Sequence, residues 1–187
     1  MGKLIYAMNV SLDGFIETPD HSLDWGSVDA EIHSWFNDRM RDLSASLYGR
    51  KLYEVMAAHW PTAEEDPNTP PVEIEFARIW NATPKIVFSN TLTEVHHNSR
   101  LVHGDVAEVL TDVRREFDGD LEVGSANLAG QFIERGLVDV YQLVVHPVSI
   151  GSGTPFFPAL NQPLRLHLIE TKRFESGVVA LTYRPAR

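Results

Sequence analysis

Apolar positions along the chain follow two rhythms that take turns. Residues 3–10 are β-rich and pass into a loop over 11–27, punctuated by Gly14, Pro19 and Gly26. From Asp29 onward Ile32, Phe36, Met40 and Leu43 recur at helical spacing, with Asp29 and Glu31 in the first turn, where the helix dipole favours anions. Residues 45–48 form a short apolar strand that Gly49 turns into a second helix, whose inner face is predicted to carry Leu52, Val55 and Met56. Beyond a Pro-rich loop over 60–71, the spacing of Val72, Phe76, Ile79 and Trp80 predicts a third helix, and 85–89 a strand. Val106, Val109, Leu110, Val113 and Phe117 predict a fourth helix, 121–123 a strand, and Leu128, Phe132 and Ile133 a fifth helix ending at Gly136. The chain finishes in β structure, with a strand over 138–146, a loop over 147–158, and strands over 164–174 and 178–183 joined through Glu175-Ser176-Gly177.

Alternating β and α segments predict an α/β fold with a mixed, mostly parallel central sheet covered by helices and an antiparallel hairpin at its C-terminal edge. The pattern contains no repeat and no linker, so residues 1–187 read as a single domain.

Composition narrows the function. The chain has no cysteine, which excludes disulfides, thiolate nucleophiles, zinc ribbons and iron–sulfur clusters. A formal charge of −10 disfavours nucleic acid and anionic membranes. The opening residues do not have the build of a signal peptide, and no apolar run approaches membrane-spanning length, so a cytoplasmic protein acting on a small molecule is expected.

In a sheet of this kind ligands bind beyond the carboxyl ends of the strands, where helix N-termini offer unpaired N–H groups. Four segments fall there: Ser11-Leu12-Asp13-Gly14, Gly49-Arg50-Lys51, Ser89-Asn90-Thr91 and Gly124-Ser125-Ala126-Asn127. Gly49-Arg50-Lys51 joins a residue without a Cβ, two cations and a helix start, which together suit a phosphate; the alternative is that Gly49 only makes the turn and both cations are solvated, and placement at a strand-to-helix junction favours the phosphate. Gly124 allows close backbone approach, with Ser125 and Asn127 able to add hydrogen bonds, although Ser125 could equally be a plain N-cap. Asp13, beside Gly14, either handles a proton or orients substrate, or only bonds its own loop. Trp25 and Trp60 could wall a planar ligand or be ordinary half-buried aromatics, and His146, near a strand end, could face a pocket or simply hydrogen-bond at the sheet edge. No phosphate loop, nucleophile elbow or H-E-x-x-H metal motif occurs, and Gly151-Ser152-Gly153 lacks the third glycine of a dinucleotide fingerprint.

Several stretches, in order, resemble the dihydrofolate reductase-like family that includes the reductase domain of riboflavin biosynthesis. They are Met8-Asn9-Val10-Ser11-Leu12-Asp13-Gly14-Phe15-Ile16, Leu47-Tyr48-Gly49-Arg50-Lys51-Leu52-Tyr53-Glu54, Lys85-Ile86-Val87-Phe88-Ser89, and the run 123–153 with Gly136-Leu137-Val138-Asp139 and His146-Pro147-Val148-Ser149-Ile150-Gly151-Ser152-Gly153. The resemblance implies a three-layer fold, a homodimer, and NADPH laid across the strand ends. Its phosphates would lie at the helix starts of Gly49, Arg50 and Lys51 and of Gly124, Ser125, Ala126, Asn127 and Leu128, and its adenosine end near Ser89 and Asn90. The implied activity is hydride transfer to a planar pteridine-, pyrimidine- or flavin-like ring, with Asp13 assisting and Trp25 and His146 at the substrate. The alternative is a non-catalytic nucleotide- or flavin-binding module. Three departures stand out: Ser125 where the family has a second glycine, Val123 where riboflavin-pathway reductases have an acid, and Ile32 where dihydrofolate reductases place a proton-relaying acid.

Overall fold

The computed structural model describes residues 2–186. In chain order it contains β1 (Leu4–Ser11), β2 (Phe15–Glu17), α1 (Ala30–Arg41), β3 (Leu43–Gly49), α2 (Arg50–His59), a 3-10 turn (Trp60–Glu65), α3 (Pro71–Ala82), β4 (Lys85–Phe88), β5 (Ser99–Val102), α4 (Val106–Glu116), β6 (Asp120–Val123), α5 (Ala126–Glu134), β7 (Val140–His146), β8 (Thr154–Pro155), β9 (Leu166–Arg173) and β10 (Val179–Pro185). Eight strands form one sheet in the order β5-β4-β3-β6-β1-β7-β10-β9. The first six lie parallel, while β10 runs antiparallel to β7 and β9 antiparallel to β10, so the sheet and its C-terminal hairpin are as the pattern predicts.

The sheet is buried on both faces because its strands carry apolar residues on both. Leu4, Tyr6, Leu47, Leu121 and Val123 pack under α4 and α5 through Leu110, Val113, Phe132 and Ile133. On the opposite face Tyr48 and Val87 meet Met40 of α1 and Trp80 of α3, and Val144 meets Ile32 of α1. Gly136, at φ 64°, closes α5: its N–H reaches the Ile133 carbonyl and the Leu137 N–H the Phe132 carbonyl, a left-handed cap that a side chain would strain. Asp139 then accepts from the Leu4 N–H at 2.8 Å and pairs with Arg114, fixing where β7 starts against β1.

Three expectations change. Val55 is 57 % exposed, and Tyr53 is the side chain α2 buries; its hydroxyl accepts from the His96 N–H at 2.7 Å. β5 has no alternating apolar signal in Ser-Arg-Leu-Val and escapes a pattern search. The loops after β1 and β7 contain the short strands β2 and β8, which pair with each other and tie the two loops together. No helix among the described residues is long and apolar enough to cross a membrane.

Candidate active site

The six parallel strands end on one edge of the sheet. Along it stand Ser89 after β4, Gly49 at the end of β3, Gly124 after β6, Ser11 at the end of β1 and His146 at the end of β7, so four strand spacings separate the first from the last, roughly 19 Å. All four sequence segments therefore lie on one ledge.

Helix starts differ along this ledge. Asp29 caps α1 by accepting from the Ile32 N–H, and Asp105 caps α4. α2 begins at Gly49 and α5 at Ser125 with no side-chain cap, so their first N–H groups, and the Ser125 hydroxyl, are not spent on capping. Gly49 has ordinary extended dihedrals; what requires it is space, because a Cβ there would stand 2.8 Å from Ser125 Oγ. A Cβ on Gly124 would stand 2.9 Å from Leu52 Cδ2. Two uncapped helix ends thus approach as closely as backbone allows. Exposed Arg50 pairs with Glu54 at 3.3 Å, and Lys51 Nζ lies 3.3 Å from His21 Nε2, whose Nδ1 is 2.8 Å from Glu17. Next to them a pocket of about 190 Å³ opens between β4, β5 and α5, lined by Ser89, Asn90, His103, Leu128 and Gln131 among others. His103 follows β5, which carries no pattern, and Gln131 lies on the exposed side of α5, where polarity alone marks no function.

Asp13 is fully engaged. Its carboxylate accepts from the Ser11 and Ser149 hydroxyls, both at 2.7 Å, and from the Ile150 and Gly151 N–H groups at 3.2 and 2.7 Å. The Ser11 and Ser149 bonds, with the two backbone bonds, hold it far below the usual carboxylate range. At neutral pH it has no proton to give, and its geometry is that of a clamp fastening the β1 loop to the β7 loop. The Gly151-Ser152-Gly153 motif serves the same junction, since a Cβ on Gly153 would collide with the Glu17 carbonyl.

Trp25 and His146 come together, ring centroids 5.5 Å apart and nearly perpendicular. His146 is 2 % exposed, and its burial lowers its pKa against the pull of Asp29, so the ring is neutral. Its Nε2 lies 2.9 Å from Asn9 Oδ1; an amide oxygen only accepts, so Nε2 carries the proton and Nδ1 keeps a lone pair. The Trp25 Nε1–H is buried without a partner. Asn9, invisible as a functional residue in the sequence, enters through the β1–β7 pairing. Trp60 lies elsewhere, packed on Phe76 at 4.4 Å with its N–H on Met56 Sδ.

The residues 2–180 match the model of the RibD C-terminal domain. The chain belongs to that family. It is 32% identical over 182 residues to YyaP of Bacillus subtilis (strain 168), an uncharacterized protein, with 97% of this chain and 94% of that one covered. The fold matches a Shewanella sp. PV-4 protein named for riboflavin biosynthesis, with a TM-score of 0.76 at 23% identity over the full length of both chains. It also matches Enterococcus faecalis dihydrofolate reductase complexed with NADP(H), with a TM-score of 0.66 at 14% identity, covering 99% of this chain and 97% of that one. The three-layer, dihydrofolate reductase-like architecture is thereby shown.

Within this RibD C-terminal domain two of the three departing positions are occupied by core, and the third, Ser125, is half-buried at the start of α5. Ile32 and Val123 are both 0 % exposed, Ile32 beneath α1 and Val123 under α5. Asp38, further along α1, is solvent-exposed and paired with Arg41 at 2.5 Å.

Proposed function

We propose that the chain is an NADPH-dependent reductase that transfers a hydride to a small planar heterocycle. The observation that carries this reading is the apposition of Gly49 and Ser125, which brings two uncapped helix N-termini to neighbouring strand ends beside Arg50 and Lys51. Free N–H groups, a hydroxyl and two cations form a phosphate cradle in a protein whose net charge otherwise repels anions. Ser125, Ala126, Asn127 and Leu128 would line the pyrophosphate with the α5 backbone, Arg50 and Lys51 would neutralise it, and Ser89 and Asn90 would border the adenosine in the adjoining pocket. An Arg or Lys bond to a phosphate contributes roughly 1.5–3 kcal/mol, enough for about ten-fold or greater preference for NADPH over NADH.

Bound there, reduced nicotinamide supplies the hydride. The protein's own residues hold and orient: Trp25 and His146 border the acceptor, and Asp13 locks the two loops that frame it, as a positioning residue. Titration of the purified chain with NADPH and NADH, repeated on Arg50→Ala, tests the reading; absence of NADPH binding at millimolar concentration would remove it.

A second reading, a non-catalytic nucleotide- or flavin-binding module, is favoured by one observation: Ile32 and Val123 occupy the acid positions and Asp13 is held ionised. NADPH oxidation with a panel of flavins, pteridines and quinones separates the two. Cytoplasmic residence and a homodimer go with either reading. β9, which ends the sheet and exposes Leu168 and Ile169, is the surface we assign to the second copy, and light scattering of the purified chain checks it.

A further inference from the structure

The cleft is electrostatically split. Its phosphate half carries Arg50 and Lys51. In its acceptor half, the elements that bring Trp25 and His146 together, from β1 through most of α1 and around β7 and its following loop, lie in residues 4–38 and 136–164, two stretches that contain no Lys or Arg, although Lys3, Arg39, Arg135 and Arg165 flank them. The first bears Asp13, Glu17, Asp20, Asp24, Asp29, Glu31 and Asp38; the second bears only Asp139, at the far end of β7 and paired with Arg114. Of these acids, Glu17 is offset by Lys51 acting through His21, and Asp38 by Arg41. Asp13, Asp20, Asp24, Asp29 and Glu31 form no ion pair with a Lys or Arg among the described residues, and Asp29 acts on His146. The β1–α1 loop that covers this half also exposes Leu12, Leu23 and Val28.

Two polar atoms here lack protein partners of the right kind. Trp25 Nε1–H is buried and unpaired, which costs stability unless something else accepts from it. His146 is neutral and 2 % exposed, and its Nδ1 lies beneath the Gly26 backbone, 3.6 Å from where a Cβ would stand. A donor waiting for an acceptor, an apolar rim and carboxylates that are hydrogen-bonded but matched by no Lys or Arg describe one kind of ligand.

We propose that the acceptor half takes an uncharged planar ring that offers a carbonyl oxygen to Trp25 and carries no phosphate. This rests on the reductase reading for the phosphate half and narrows its substrate. A dianionic phosphate brought into that half meets the negative charge of these largely exposed carboxylates, a repulsion that salt screens, whereas the same ring without phosphate does not.

Riboflavin and riboflavin 5′-phosphate share one ring and differ by that group. Binding of each to the full chain, followed by quenching of flavin fluorescence, is expected to favour riboflavin at least ten-fold at low salt, with the preference shrinking in 1 M salt. Trp25→Phe keeps an aromatic ring but removes the N–H together with the five-membered part of the indole; riboflavin affinity should fall five- to ten-fold while NADPH affinity is unchanged. Equal or tighter binding of the phosphate, no riboflavin binding up to its solubility limit, or an unchanged affinity in Trp25→Phe would overturn the proposal. Failure of NADPH to bind would instead remove the reductase reading, so the two failures are distinguishable.

Discussion

Gly49 and Ser125 stand so close that a single methyl group on the glycine would lie 2.8 Å from the serine hydroxyl. The contact joins the ends of β3 and β6 and thereby the starts of α2 and α5. Neither residue gains stability from a capping bond, so the pair has a geometry that a purely structural junction does not need.

Gly49→Ala should therefore push the Ser125 side chain out of the cradle. Overpacking of this kind costs about 1–3 kcal/mol, and NADPH affinity should fall ten-fold or more. Gly49→Ala combined with Ser125→Gly removes the clash, so urea unfolding should show a double variant more stable than the sum of the single effects. Additive losses would mean that the two residues do not touch.

For Asp13 the pH dependence is decisive. Its folded-state pKa lies below the ordinary carboxylate value, so the clamp's contribution is present above that value and is lost only as pH falls toward the folded one. NADPH oxidation should show no acidic limb from Asp13 between pH 5 and 8. Asp13→Asn, which keeps the shape but puts an NH2 group where two of the four donors point, should raise KM for the acceptor more than it lowers kcat. A kcat that collapses with KM unchanged would return Asp13 to proton transfer.

Glu122 carries the opposite sign. It lies on β6 in register with Ser46, whose buried hydroxyl is unpartnered, and burial pushes its carboxyl up to about 7 against the attraction of Arg39. A raised carboxyl is favoured protonated in the fold, so stability is highest at acid pH, declines as pH rises from the unfolded value of 4.5 to about 7, and stays reduced above it. Each pH unit between the two values is about 1.4 kcal/mol, so Glu122→Gln should stabilise the protein by up to about 3 kcal/mol at pH 8.5 and by little at pH 4. Equal gains at both pH values would show that packing, not charge, is responsible.

Much of this was legible in the chain. The β/α alternation predicts the sheet and its hairpin, and Gly49-Arg50-Lys51 and Gly124-Ser125 announce the two helix starts by composition alone. What the chain does not announce arises from pairing at a distance. Asp13 accepts from residues more than a hundred positions away, and β2 and β8 are too short to carry a rhythm. Asn9 has a function only because parallel pairing of β1 and β7 places Ser11 beside His146 and so brings Asn9 within reach of the imidazole.

That last relationship can be tested by one atom. In the neutral ring Nε2–H donates to the Asn9 oxygen, and burial opposes protonation of Nδ1. Asn9→Asp replaces the amide with a carboxylate at the same distance, which favours the imidazolium, so the His146 pKa should rise above that of the parent protein by at least about one unit, worth 1.4 kcal/mol. The imidazole Cε1–H resonance followed by NMR against pH reads this directly. A rise would place a protonatable group beside Trp25, in the half of the cleft that lacks a proton donor, and NADPH oxidation in the variant should gain an alkaline limb at the new pKa. An unchanged titration would mean that His146 does not bond Asn9, and the neutral acceptor edge derived from that bond would have to be abandoned.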